Sequence, residues 1–181
     1  MKKIQNKFLI IGILTLISIN SNIGWAKNKE KSLKIVKIHI NSNNNPGYST
    51  RISNDFQEEV VRLVNIERRK RGITPLSISN KLSSAATIRA NELTQKFSHT
   101  RPNGRSYISA VESAGYAYSY VGENIAAGQK RPQDVMNTWM NSAGHRANIL
   151  NPNYTEIGIG ISYTQNNIYG THWIQLFGKP R

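Results

Sequence analysis

The sequence predicts an α/β layered domain, with helices first, a β-hairpin last and helical segments between. Three observations carry that prediction. From Ser53 to Phe97, apolar residues recur at spacings of three and four, the period of a helix lying on a core. From Ile157 to Phe177 the period changes to two, the signature of strands. The 181-residue chain contains no cysteine, so burial alone must hold it together. About 125 residues suffice for that, since a chain of this size buries roughly two thirds of its unfolded surface.

The elements follow in order. Lys2, Lys3 and Lys7 precede an apolar run, Phe8 to Ile19, and Gly24-Trp25-Ala26 sets small residues ahead of a cut after Ala26. This pattern predicts an export signal over residues 1–26. The run is too short to span a bilayer comfortably, and an uncleaved N-terminal anchor is the alternative reading. Residues 27–53 read as a basic, polar tail and linker, with a hint of a short strand at Ile35, Ile38 and Ile40. The domain proper occupies residues 54–181. Its first helix is expected to be capped at Ser53-Asn54-Asp55. Phe56, Val60, Leu63, Val64 and Glu67 share one face of it, with Arg62, Arg68, Arg69 and Lys70 mostly on the other, and Gly72 ends it. Ser79 caps a second helix, in which Leu82, Ala85, Ala86, Arg89, Ala90, Leu93 and Phe97 recur and the alanines permit close packing.

Pro102-Asn103-Gly104 is a turn. Ser106 to Ala114 is a short third helix ended by Gly115, and Pro132 to about Ser142 is a fourth, with Val135, Met136 and Trp139 on its apolar face. One more helical turn runs from His145 to Leu150. In the final hairpin, Ile157, Ile159, Ile161 and Tyr163 alternate with glycines and serine. After the turn Gln165-Asn166-Asn167, residues 168–177 are apolar enough for a strand buried on both faces. Tyr116 to Tyr120 and Asn124-Ile125 supply a further strand. Trp139 and Trp173 are expected to be core or wall aromatics.

The chain is strongly basic, with 24 Lys and Arg against 10 Asp and Glu, a formal charge of +14. Loss of residues 1–26 would remove three lysines and no acid, taking that charge from +14 to +11. The expected neighbours are extracellular polyanions, cell-wall polymers or anionic lipid. No recognition motif for nucleic acid is present. Export without cysteine fits a secreted, extracellular or wall-associated protein.

Three polar clusters stand at the ends of these elements: Phe97-Ser98-His99-Thr100, Gly122-Glu123-Asn124 and Gly144-His145-Arg146. Each holds one group able to ligate a metal or move a proton, and His99, Glu123 and His145 are too far apart in sequence for a local motif. Each also has a structural reading. His99 can cap the last carbonyls of the second helix. Glu123, expected on a tight turn, can pair with one of the many arginines. No two-histidine helical zinc motif, nucleophile elbow, phosphate loop or calcium loop is present.

The strings Phe97-Ser98-His99-Thr100-Arg101-Pro102-Asn103-Gly104, Val121-Gly122-Glu123-Asn124-Ile125-Ala126, Trp139 to Leu150 and Tyr154-Thr155-Glu156-Ile157-Gly158-Ile159-Gly160 appear in that order. Together they resemble the bacterial, cysteine-free branch of the CAP superfamily, which groups cysteine-rich secretory proteins, antigen-five allergens and plant pathogenesis-related proteins (SCP-like extracellular domains). The resemblance covers about residues 55–179. It implies a three-layer α-β-α sandwich with a central antiparallel sheet, and a cleft of two histidines and two acids that in some members holds zinc or another divalent ion. Position by position, it assigns the metal or catalytic candidates to His99, Glu123 and His145. The second acid has no match, because Asn141 and Ser142 occupy its stretch, and the nearest remaining carboxylates, Glu112 and Glu156, lie elsewhere. Two imidazoles and one carboxylate can hold zinc with water in the fourth place, so a weak, pH-sensitive divalent site is the expectation. The functional expectation is an extracellular binding module for a lipid, a sterol or a wall component. The alternatives are a metal-assisted or His/Glu-based hydrolase of protease type, and a wall or spore-coat structural protein held by charge.

Overall fold

The computed structural model describes the backbone of residues 46–181 and the side chains of residues 53–181. The expected export segment, the lysine-rich stretch up to residue 45 and the short strand expected near Ile38 lie outside the described residues. The elements are α1 (Pro46–Arg69), β1 (Ser77–Ile78), α2 (Asn80–Leu93), α3 (Ile108–Ser113), β2 (Tyr118–Ala127), α4 (Pro132–Asn141), α5 (Ala143–Ile149), β3 (Glu156–Tyr163) and β4 (Thr171–Pro180). Among the described residues no helix is long and apolar enough to cross a membrane.

The strands form one sheet in the order β1-β3-β4-β2. β3 and β4 pair antiparallel, as do β4 and β2, and the two-residue β1 pairs parallel with β3. Register separates the two faces. Gly158, Gly160, Ile174, Leu176, Glu123 and Ile125 share one face, because Gly158 opposes Leu176 and Leu176 opposes Glu123. Leu82, Ala85, Ala86 and Ala90 of α2, with Ala110 and Val111 of α3, close over that face as a buried cluster. The other face carries Ile157, Ile159, Trp173, Gln175, Phe177 and Asn124. There Phe56 of α1 stacks on Trp173 at 6.2 Å between ring centroids, and Tyr154 stacks on Phe177 at 5.4 Å. The result is an α-β-α sandwich. β4, between β3 and β2, is buried on both faces from Thr171 to Gly178, as its near-continuous apolar run requires.

The alternating glycines of β3 have a packing cause. A Cβ at Gly158 would strike the backbone of Leu82 and Ser83, and one at Gly160 the carbonyl of Ala86. α2 therefore lies on β3 at backbone contact, an approach that glycine at 158 and 160 allows.

Five expectations need correction. The last strand begins at Thr171, not at Ile168, because Asn167 Oδ1 caps the amides of Tyr169 and Gly170 and holds residues 168–170 in the exposed loop. α1 begins at Pro46, seven residues ahead of the cap expected at Ser53. Proline suits a first helical position, and nothing from Gly47 to Ile52 forces a stop. Phe97 lies beyond α2, which ends at Leu93, and is half exposed. Arg68, expected on the outer face of α1, is fully buried. Its guanidinium donates to the carbonyls of Thr74 (2.8 Å), Ile149 (2.9 Å), Asn151 (2.9 Å) and Tyr154 (3.1 Å), fixing the loop into β1 and the connection from α5 to β3. Glu123 stands in the middle of β2, not on a tight turn.

Candidate functional site

β2 is the outer strand of the sheet, so part of its backbone needs partners from outside it. Helices α4 and α5 supply them. The carbonyl of Ile125 accepts Trp139 Nε1–H (3.3 Å), and that of Glu123 accepts Asn148 Nδ2–H (3.3 Å). The Asn124 side chain reinforces the join, donating to the His145 carbonyl (3.0 Å) and to Gln175 Oε1 (3.0 Å) and accepting from Asn148 (2.9 Å). This buried amide network sets α5, and with it His145, along the edge beside Glu123.

Glu123 projects to the α2 side, and its side chain is fully buried. Arg89 of α2, also fully buried, meets it there, with Nε–H donating to Oε2 (2.9 Å) and Nη2 reaching Oε1 (3.4 Å). The same guanidinium donates to Glu92 (2.7 Å) and to the Ser98 carbonyl (2.7 Å), anchoring the segment that carries His99. Glu92 in turn receives Arg101 (2.7 Å), which also donates to Ser109 Oγ (2.9 Å). Burial alone would raise the Glu92 carboxyl, but hydrogen bonds from Arg101 and Arg89 carry it below the usual carboxylate range. Two arginines and two glutamates thus form one charge-balanced cluster, buried at Arg89 and Glu123 and partly exposed at Glu92 and Arg101.

His99 closes the arrangement. Its Nδ1 lies 2.7 Å from Glu123 Oε1, while its side chain is 56% exposed. Facing a carboxylate that already accepts from Arg89, Nδ1 is the donor, and Nε2 is the nitrogen left for a ligand. Tyr107 meets the imidazole edge-on at 6.3 Å, and its phenol is pushed up to about 12 by burial and by the Glu123 charge. Tyr107 therefore offers a neutral hydroxyl. Ser98 Oγ accepts the Thr100 N–H (3.1 Å), and the ring's Nδ1 is taken by Glu123.

His145 makes no hydrogen bond to His99 or Glu123. It is near enough that charge on His99 lowers its proton affinity, adding to the larger effect of burial, and its buried Nδ1 has no partner among the described residues. The structure thus joins His99 to Glu123 directly and sets His145 beside them, half-buried. Arg89, Tyr107 and the Glu92–Arg101 pair belong to the site and were not anticipated as members. The one sequence signal for Arg89 was its place in an otherwise small and apolar helical stripe.

As a metal centre the donor set fits poorly. Among the described residues no three His, Cys, Asp or Glu side chains converge as ligands. Both oxygens of Glu123 are taken, and the positive charge beside them is the Arg89 guanidinium. A divalent ion would be left with two imidazoles.

Two histidines, one buried and one half-buried, give a pH prediction. Burial holds both His145 and His172 below the ordinary histidine value. Asn167 Nδ2 donates to His172 Nε2 (3.3 Å), which leaves His172 Nδ1 buried without a partner among the described residues. For a histidine lowered in the fold, the unfolded chain takes up protons first. Stability is therefore full above about pH 6.5 and falls as pH drops from there toward the folded-state values. Thermal melts from pH 8 to pH 5 should show this loss, and His172→Gln should flatten it. A melting temperature independent of pH over that range would contradict the assignment.

The comparisons with known proteins agree with the fold. The family model described as CAP, the cysteine-rich secretory protein family, matches residues 61–177, a stretch that includes every residue of the site. The uncharacterized protein YkwD of Bacillus subtilis is 44% identical over 124 residues, covering 67% of this chain and 46% of YkwD. The chain thus spans about half the length of that curated relative. Among solved structures, an extracellular protein containing a SCP domain from Bacillus anthracis aligns with a TM-score of 0.67 at 25% identity, covering 75% of this chain and 44% of the other. An outer surface protein of Borrelia burgdorferi aligns with a TM-score of 0.62 at 22% identity, covering 68% and 92%, and speaks to the fold alone.

Proposed function

The chain belongs to the cysteine-rich secretory protein family, and on that footing we propose that it acts outside the cell as a binding module. In this reading His99 Nε2, the neutral His145 ring and the Tyr107 hydroxyl present one polar recognition spot. The observation that carries it is the Arg89–Glu123–His99 chain of bonds. It spends a buried ion pair on orienting one half-exposed imidazole, the kind of support a preorganised site needs. An extracellular setting is supported by the export pattern read in residues 1–26 and by the likeness to the extracellular SCP-domain protein of Bacillus anthracis. A lipid, a sterol or a wall component is the ligand class in view.

The test is to recover the protein from the medium of a secreting host and analyse bound small molecules by mass spectrometry. A molecule that accompanies the native chain and is absent from His99→Ala/His145→Ala supports the reading. Identical extracts from both would overturn it. Wall adhesion by charge alone is separated by salt, since it should vanish as ionic strength rises while recognition at His99 persists.

A second reading, hydrolysis with His99 as general base, draws on the same Glu123–His99 bond. Among the described residues no side-chain hydroxyl is hydrogen-bonded to the ring, and the expected turnover of peptide and ester substrates is no greater than that of His99→Ala. Zinc at neutral pH should likewise give no thermal shift that His99→Ala/His145→Ala abolishes. Stoichiometric binding lost in that variant would restore the three-ligand metal centre.

A further inference from the structure

An apolar ledge lies outside both the core and the His99 site. Ile168 is 93% exposed, Tyr169 51% and Phe97 50%. The Phe97 and Tyr169 rings stack at 6.4 Å, although one follows α2 and the other lies in the loop between β3 and β4. The loop has a defined shape. Asn167 Oδ1 accepts the N–H of Tyr169 and of Gly170, both at 3.1 Å, and Thr164 N–H donates to the Gly170 carbonyl at 2.7 Å. Asn167 Nδ2 also reaches the Thr94 carbonyl (3.4 Å), tying the loop to the segment that bears Phe97. Tyr169 lies against the backbone at Gly128, where a Cβ would sit 3.8 Å from Cδ1. Three segments therefore meet at the ledge: residues 94–97, 128–131 and 164–170. They contain Lys96, Lys130 and Arg131 and no carboxylate. Arg131 is paired with Asp134, whereas Lys96 and Lys130 are exposed.

We propose that this ledge docks on an anionic lipid bilayer, with Ile168, Tyr169 and Phe97 entering the headgroup boundary and Lys96 and Lys130 at the level of the phosphates. Apolar tips carried on segments that also bear exposed lysines gain from both layers of such a surface, and neither contribution alone gives firm attachment. A sugar-binding platform is disfavoured by the same details, since the two rings stack on each other and the most exposed residue is aliphatic. The proposal is independent of the recognition spot at His99.

The absence of cysteine makes the test direct. Ile168→Cys in the full chain carries a polarity-sensitive dye. Asn153→Cys, exposed in the turn ahead of β3 at the far end of that strand, is the control. On vesicles containing phosphatidylglycerol, the emission at position 168 should rise severalfold and shift to the blue, with little change at 153 or on phosphatidylcholine alone. Lys96→Glu/Lys130→Glu should weaken that response at least about tenfold. Attachment through another part of the chain would bring protein to the vesicles while position 168 stayed in water, and that result overturns the proposal. So would equal responses at both positions, or shielding of 168 by insoluble wall polysaccharide and not by lipid.

Discussion

Replacing Gly160 by valine should lower stability by about 3 kcal/mol or more, at or beyond the upper end of ordinary overpacking. The added side chain would begin inside the Ala86 carbonyl, and the obstacle is backbone, not a side chain that can rotate away. To admit it, α2 must lift from β3, which would open the cluster that contains Leu82, Ala90, Ile174 and Leu176. It would also draw Arg89 away from Glu123, since Arg89 rides on the same helix. Thermal melts of Gly160→Val against the native chain check this. Gly144→Ala is the control, because no atom lies within 4 Å of its added Cβ and helix propensity favours alanine, so it should be neutral or slightly stabilising. Equal melting temperatures for Gly160→Val and Gly144→Ala would contradict the close helix–strand packing.

Arg89→Met should cost about 3–5 kcal/mol, the range for removing one partner of a buried ion pair. The expected loss is due less to the missing contact than to the carboxylates left behind. Glu123 would remain fully buried with the neutral His99 imidazole in place of a full positive charge, and Glu92 would keep Arg101 alone. The double variant Arg89→Met/Glu123→Gln should recover a substantial part of the loss, because the uncompensated charge goes with the second change. Denaturant melts of the two single variants and the double variant give this coupling. Strict additivity would show that Arg89 and Glu123 act independently, and the site as described would fail.

Much of the fold was legible because it rests on period and punctuation. The helical stripe from Leu82 to Leu93, the glycine alternation in β3 and the two-faced apolar run of β4 all follow from spacing. The buried arginines were less legible for a definite reason. Arg68 looks like a surface residue until its acceptors are known, and three of them, the carbonyls of Ile149, Asn151 and Tyr154, arrive from more than 80 positions away. Arg89 occupies a core position in the stripe, yet its burial is tolerable only because β2 delivers Glu123 opposite it. For Glu123 the two readings of the sequence, an arginine ion pair or a carboxylate facing an imidazole, are both present at once. His145 was legible as a neighbour of the site, but its lack of a direct bond depends on where Asn124 and Asn148 hold α5.

The most direct test of the central claim is nitrogen-15 NMR of the His99 imidazole, at a pH where the ring is neutral, before and after adding zinc. If Glu123, backed by Arg89, orients the ring, the proton resides on Nδ1, Glu123→Gln disturbs that preference, and zinc leaves the signals where they were. A proton on Nε2, or a zinc-induced shift of His99 and His145 together, would contradict the account.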